Sequence, residues 1–179
     1  PKAYVIPQSQ WQVLDILKLN NINAHRFQKD TIIEVESYKI ESYQTSKSPY
    51  EGHYAHYNTK VSKSIQKVQF YYGDYVFYTN QPSVKYLLET SEPEAVDSYF
   101  NWNFFDPILQ QKEYFSSYVF EDLAKEFLDK NPKIKAELEQ KKQNDKAFAE
   151  NGAAQLDWVY RQSPYYEKAH LQYPVYRVN

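Results

Sequence analysis

Thr31-Ile32-Ile33-Glu34-Val35-Glu36-Ser37-Tyr38-Lys39-Ile40-Glu41-Ser42-Tyr43 is the stretch that decides the fold class. Ile33 and Val35 alternate with Glu34 and Glu36, the period-two pattern of a half-buried strand. Tyr38 and Ile40 then alternate with Lys39 and Glu41, so the apolar set changes parity between 35 and 38. One inserted residue moves a strand's side chains to the other face, and a β-bulge or bend is expected near Glu36-Ser37.

Outward from this strand, more β signals follow. Ala3-Tyr4-Val5-Ile6 reads as a short strand stopped by Pro7. Val68, Phe70 and Tyr72 alternate with polar residues, Gly73-Asp74 supplies a turn, and Tyr75-Val76-Phe77-Tyr78 follows, which predicts a hairpin or a pair of neighbouring strands over 61–79. Residues 45–60 read as a polar, Tyr-bearing loop. Tyr173-Pro174-Val175-Tyr176-Arg177-Val178 predicts a closing edge strand, placed beside residues 3–6.

Helical signals lie between and beyond these strands. Ser9 and Gln12 have capping-box spacing ahead of Trp11, Val13, Leu14, Ile16 and Leu17, and Asn20-Asn21 suits a helix stop. Pro82 suits the first turn of a helix through Leu88. Tyr118, Phe120, Leu123, Ala124, Phe127 and Leu128 recur at helical spacing. Asn131-Pro132 opens a mostly polar helix to about residue 143, with Glu137 and Lys141 as an i,i+4 pair. A further helix around 153–162 presents Leu156, Val159 and Tyr160.

The expected class is therefore α+β: a mostly antiparallel sheet or small β-sandwich in the N-terminal half, covered by helices from the C-terminal half. The expected division is a β-rich part with two short helices (1–96) and an aromatic connector with a helical part ending in a short strand (97–179), together one compact unit.

Composition narrows the function. The chain has 179 residues, enough to remove about 70% of its unfolded surface from water. It carries 19 Tyr, 10 Phe and 3 Trp, which suits half-buried sheet faces and wet interfaces. A net charge of −2 argues against a nucleic-acid binder. No run of 18 apolar residues is present to span a membrane. Cys is absent, which removes disulfides, thiol nucleophiles and Cys-ligated zinc. Pro1 and the lack of Met fit either a processing boundary or loss of an initiator Met.

Candidate chemistry is sparse. Of the four histidines, His53 and His56 have H-x-x-H spacing with Glu51 nearby, so they are the candidate zinc ligands, and an autonomous metalloenzyme would use them. On a loop that spacing fixes little geometry, and polar loop residues are the plainer expectation. No G-x-S-x-G elbow places a serine nucleophile, and the three glycines form no phosphate loop. No catalytic residue, cofactor-binding residue or metal ligand is therefore assigned. Phe70-Tyr71-Tyr72 and Tyr75 to Tyr78 are cross-strand packing or, in a glycan- or peptide-binding module, an exposed platform through Tyr71, Tyr75 and Tyr78.

The ordered segments carry a resemblance. Ala3-Tyr4-Val5-Ile6-Pro7 is followed by a Trp-bearing helix and Leu17-Lys18-Leu19-Asn20-Asn21, then by Pro49-Tyr50-Glu51-Gly52-His53. Gly73-Asp74-Tyr75-Val76 and Thr79-Asn80-Gln81-Pro82 come next, then the run from Asp97 to Asp106. Ser163-Pro164-Tyr165-Tyr166-Glu167 and Tyr173 to Arg177 close the set. Together these resemble the C-terminal region of large bacterial secreted zinc carboxypeptidase-like proteins of the carboxypeptidase A family. In that family a preceding catalytic domain binds zinc through an H-x-x-E pair and a later His. Here the positions three after each histidine are Gln28, His56, Thr59 and Tyr173, so no catalytic residue carries over.

The resemblance implies a secreted or periplasmic, non-catalytic accessory domain that packs on, or shapes access to, the catalytic domain of a parent hydrolase. Zinc is expected in that parent domain and not in this chain. Tyr50, Trp102, Phe104 and Phe105 are the candidate interface residues.

Overall fold

The computed structural model describes residues 1–111 and 114–179. They form two compact units: Pro1–Gln110 with Ala169–Asn179, and Gln111–Lys168. The division thus falls after residue 110, not at 96, because the aromatic run 99–105 packs into the core of the sheet unit.

The first unit holds a six-stranded sheet built from β1 (Ala3–Ile6), β2 (His25–Arg26), β3 (Thr31–Thr45), β4 (His56–Phe70), β5 (Tyr75–Tyr78) and β6 (Tyr176–Val178). The spatial order is β2-β5-β1-β6-β3-β4 and every pairing is antiparallel. The closing strand lies beside β1, with Ala3 opposite Val178 and Val5 opposite Tyr176. With α1 (Trp11–Leu19) and α2 (Val84–Ser91) it gives the expected α+β class. Among the described residues no helix is long and apolar enough to cross a membrane.

The parity change in β3 has a different cause from the expected bulge. Register runs unbroken from Thr31–Phe70 to Ile40–Val61, and the irregularities fall later, between Ile40 and Gln44. β3 is buried on both faces. Val35 packs with Ala3, Val5, Phe70 and Val76 on one face, while Tyr38 and Ile40 join Tyr4 and Ile6 on the other. β1 shows the same double burial, all four residues being inaccessible.

The Tyr4 face is covered by Val13, Leu14 and Leu17 of α1, Leu87 of α2, and Tyr99, Phe100 and Phe105. That cover comes from segments before residue 111, where helices of the C-terminal half were expected. Helix α1 has no capping box: Gln10 is its N-cap, without a side-chain bond, and Trp11 is 62% exposed. Its stop is as expected, Asn21 adopting a left-handed φ of 56°.

β4 and β5 are not a hairpin. Asp74 accepts from the amide nitrogens of Gln8 (2.9 Å) and Tyr71 (2.8 Å), so the turn is tied to the end of β1 and β5 is delivered there. Gly73 has φ +92°, and a Cβ at this position would sit 2.9 Å from the Arg26 guanidinium.

The second unit is helical: α3 (Ser117–Lys130), α4 (Pro132–Asn144), α5 (Lys146–Ala149) and α6 (Gly152–Gln162). Its own core joins Phe120, Ala124, Leu138, Phe148, Val159 and Tyr160. Tyr118, assigned to this face by spacing, is 89% exposed. Helix α4 buries only Leu138, as its polar sequence implies, and Glu137 faces Lys133 instead of Lys141. Asp145 and Asn151 cap α5 and α6 by accepting from Phe148 and Ala154 amides, each worth about 1 kcal/mol.

Candidate binding groove

Residues 98–106 fold into consecutive turns that send some rings inward and others outward. The Trp102 amide donates to the Ser98 carbonyl (3.1 Å) and the Phe104 amide to the Tyr99 carbonyl (3.0 Å), with Asn103 left-handed at φ 66°. Tyr99, Phe100 and Phe105 are buried, and Trp102 and Phe104 are half-exposed. Phe105 is thus a core residue 1% exposed, and cannot be the interface residue expected of it.

Asn101 fixes the segment to β4. Its carbonyl accepts from the His56 amide (2.8 Å) and its side-chain oxygen from the Thr59 hydroxyl (2.9 Å). His56 completes the anchor: Nε2 lies 3.0 Å from Asp106 Oδ1 and Nδ1 2.9 Å from Thr45 Oγ1. Asn103 Nδ2 stands 3.2 Å from the same Nε2, so protein groups engage both ring nitrogens. The ring is 6% exposed, between Tyr43 (centroids 4.7 Å apart) and Phe100 (5.0 Å).

The β3–β4 connection brings the remaining aromatic groups to this segment. The amides and carbonyls of Tyr50 and His53 exchange two hydrogen bonds (2.9 and 2.8 Å) across Glu51 and Gly52, both with positive φ. This is the primed turn that suits a hairpin's twist. The Tyr50 and His53 rings stand 6.3 and 5.4 Å from Trp102, and His53 lies 6.1 Å from Phe104.

Neither histidine fits zinc. Both nitrogens of His56 are engaged by protein groups, His53 packs against Trp102 and Phe104, and among the described residues no three His, Asp or Glu side chains converge.

The inner sides of Trp102 and Phe104 line a groove of about 550 Å³ completed by Ile16 of α1, Tyr86 and Glu89 of α2, and Tyr99. That size is within the range of small-ligand pockets. Tyr99 is 3% exposed, and its hydroxyl sits near those of Tyr86 and Thr90 yet completes no well-formed hydrogen bond. Thr90 donates to the Tyr86 carbonyl (2.9 Å) and its oxygen can still accept, while the Tyr86 hydroxyl accepts from Asn20 (3.2 Å) and can still donate. Burial, more than contact with Tyr86, holds Tyr99 far above the usual tyrosine range.

A second polar cluster ties the sheet together. Tyr4 and Tyr38 both donate to the Glu92 carboxylate just past α2, Tyr38 at 2.7 Å. Arg177 of β6 donates through Nη1 to Glu36 and to the Tyr38 hydroxyl, each at 2.7 Å, and its Nε lies 3.4 Å from Glu92. Burial first, and the Glu92 carboxylate second, raise both tyrosines. Sequence reading missed this cluster and the Thr45–His56–Asp106 chain.

No protein family, curated protein or solved structure compared with this chain matches it.

Proposed function

We propose that this chain is a non-catalytic accessory domain that docks, through its Tyr50–His53–Trp102–Phe104 face, on the zinc carboxypeptidase-like catalytic domain of a secreted or periplasmic parent protein. In this reading the chain supplies no catalytic group and no metal ligand. The observation that carries it is the half-exposed Trp102 and Phe104 pair, fixed from behind by His56, Asp106 and Asn101. Aromatic groups held rigidly at a surface lose little entropy on binding and are typical interface anchors. The partner in this reading comes from the resemblance of the ordered segments to the C-terminal region of carboxypeptidase-like proteins.

The test is hydrogen exchange on the isolated chain and on the same chain within its parent polypeptide. Slower exchange at 50–53 and 97–104 in the parent is expected, and equal exchange there removes the reading. The alternative, a glycan- or peptide-binding strip through Tyr71, Tyr75 and Tyr78, has less behind it. Tyr71 and Tyr78 are exposed, but Tyr75 and Tyr78 are three residues apart on one strand and point to opposite faces, and Tyr75 lies under Arg26 (4.9 Å).

A further inference from the structure

Independently of the aromatic docking face, we propose that the free edge of β4, over residues 60–69, accepts an extended acidic segment of a partner protein as a seventh strand. The added strand would set carboxylates beside Lys63 and Lys67 and an apolar residue beside Ile65.

Three observations select this occupant. β4 is an outer strand of the sheet, and among the described residues β3 is the sole main-chain partner of residues 60–69. The N–H and C=O groups on the other side of that stretch are a template for a further strand. The usual guards against strand addition are missing here. The opposite edge, β2, is cut to two residues, whereas β4 runs for 15, holds no proline and keeps its register from Val61 to Phe70. Charge then chooses the partner. β4 carries Lys60, Lys63 and Lys67 and no Asp or Glu. All three lysines are exposed, and none forms an ion pair among the described residues. Lys63 Nζ lies over the Tyr38 ring (5.3 Å), and Glu34 stands opposite Lys67 without closing a salt bridge. Alternation puts Lys63, Ile65 and Lys67 on one face, and Ile65 is 61% exposed. A second copy of this edge would add lysines to lysines. A strand reading acidic-x-apolar-x-acidic supplies an opposite charge twice and covers Ile65.

The experiment uses the whole 179-residue chain and the peptide Thr-Glu-Thr-Val-Thr-Glu-Thr, with counterparts carrying Ser or Lys in place of both Glu and a fully N-methylated acidic form. Chemical shifts and hydrogen exchange of the 60–69 amides report the pairing. The acidic peptide should bind about two- to thirtyfold tighter than the serine peptide, with the lysine peptide weakest and alternate amides of 60–69 protected. N-methylation keeps the charge and removes the donors, so it should abolish that protection and weaken binding. Lys63→Gln together with Lys67→Gln should bring the acidic and serine peptides within about twofold of each other, with an unchanged circular dichroism spectrum. Equal binding of those two peptides to the native chain overturns the proposal, as does no shift at 60–69 with about 5 mM acidic peptide. Undiminished binding of the N-methylated peptide also overturns it and leaves a charged surface without strand addition. A dimer of the free chain with 60–69 protected overturns it in favour of self-pairing. These signals lie outside 50–53 and 97–104, so this proposal and the docking reading fail separately.

Discussion

Replacing Arg177 by Met should destabilise the sheet unit by roughly 2–3 kcal/mol. Met keeps an unbranched apolar stem and removes the charge and its donors. In the native protein Nη1 serves Glu36 and Tyr38 at 2.7 Å each, and Nε faces Glu92 at 3.4 Å. The side chains of Arg177, Glu36 and Glu92 are 19%, 18% and 28% exposed, so Arg177→Met leaves two largely covered carboxylates facing each other across Tyr38. Breaking a buried ion pair costs about 3–5 kcal/mol, and the residual access of water reduces this to roughly 2–3. In urea, with a slope of about 2 kcal/mol/M, the midpoint should fall by about 1–1.5 M. Tryptophan fluorescence in a Trp158→Phe background isolates the sheet unit, because Trp11 and Trp102 then remain as reporters. Adding Glu36→Gln should restore about 1 kcal/mol by removing one uncompensated charge. A midpoint within about 0.2 M of the parent value, with the slope unchanged, would refute the view that Arg177 holds this cluster together.

Phe105→Ala should cost about 3–5 kcal/mol, since the ring is fully buried against Tyr173 (5.2 Å) and Tyr99; Trp102→Ala should cost under about 1 kcal/mol by the same melts, and the reverse order would contradict the placing of Phe105 in the core and Trp102 at the surface. Alkali should unfold the sheet unit. Burial raises Tyr4, Tyr38, Tyr99 and Tyr173 in the folded state, so their neutral forms contribute stability present below pH 10 and lost as pH climbs past it. Absorbance at 295 nm should show these four ionising only as near-ultraviolet dichroism disappears; all 19 titrating near 10 with dichroism intact would be the contrary result. Replacing 111–168 by a linker of about six Gly and Ser residues should leave the sheet unit folded, because the Leu171 amide donates to the Ile108 carbonyl (2.7 Å) and already holds the two ends together. A collapsed amide spectrum for that variant would show the helical unit to be indispensable.

Much of the local structure was legible in the chain. Strands at 3–6, 75–78 and 176–178, the Asn21 stop and the polar helix from Pro132 were marked by alternation, turn residues and periodicity. The misreadings have one origin: pattern reports which residues are apolar and not which layer covers them. Val35 and Tyr38 look like a strand that changes face, whereas the strand is covered on both. Phe104 and Phe105 are neighbours of one type, yet the turns at 98–104 send one outward and one into the core. The clusters were invisible for a related reason. His56 and Asp106 are 50 residues apart, and Tyr4 and Glu92 are 88 apart, so no local spacing announces either pair.

β6 is the last of the six strands to leave the ribosome, yet it occupies a central place between β1 and β3. Until residues 169–178 emerge, those two strands have open inner edges and Glu36 has no Arg177 to meet. Vectorial synthesis therefore cannot close this sheet from its N-terminus. The nascent chain must carry an incomplete β layer while the whole helical insertion is translated, an interval in which the inner edges of β1 and β3 are open to pairing with other chains.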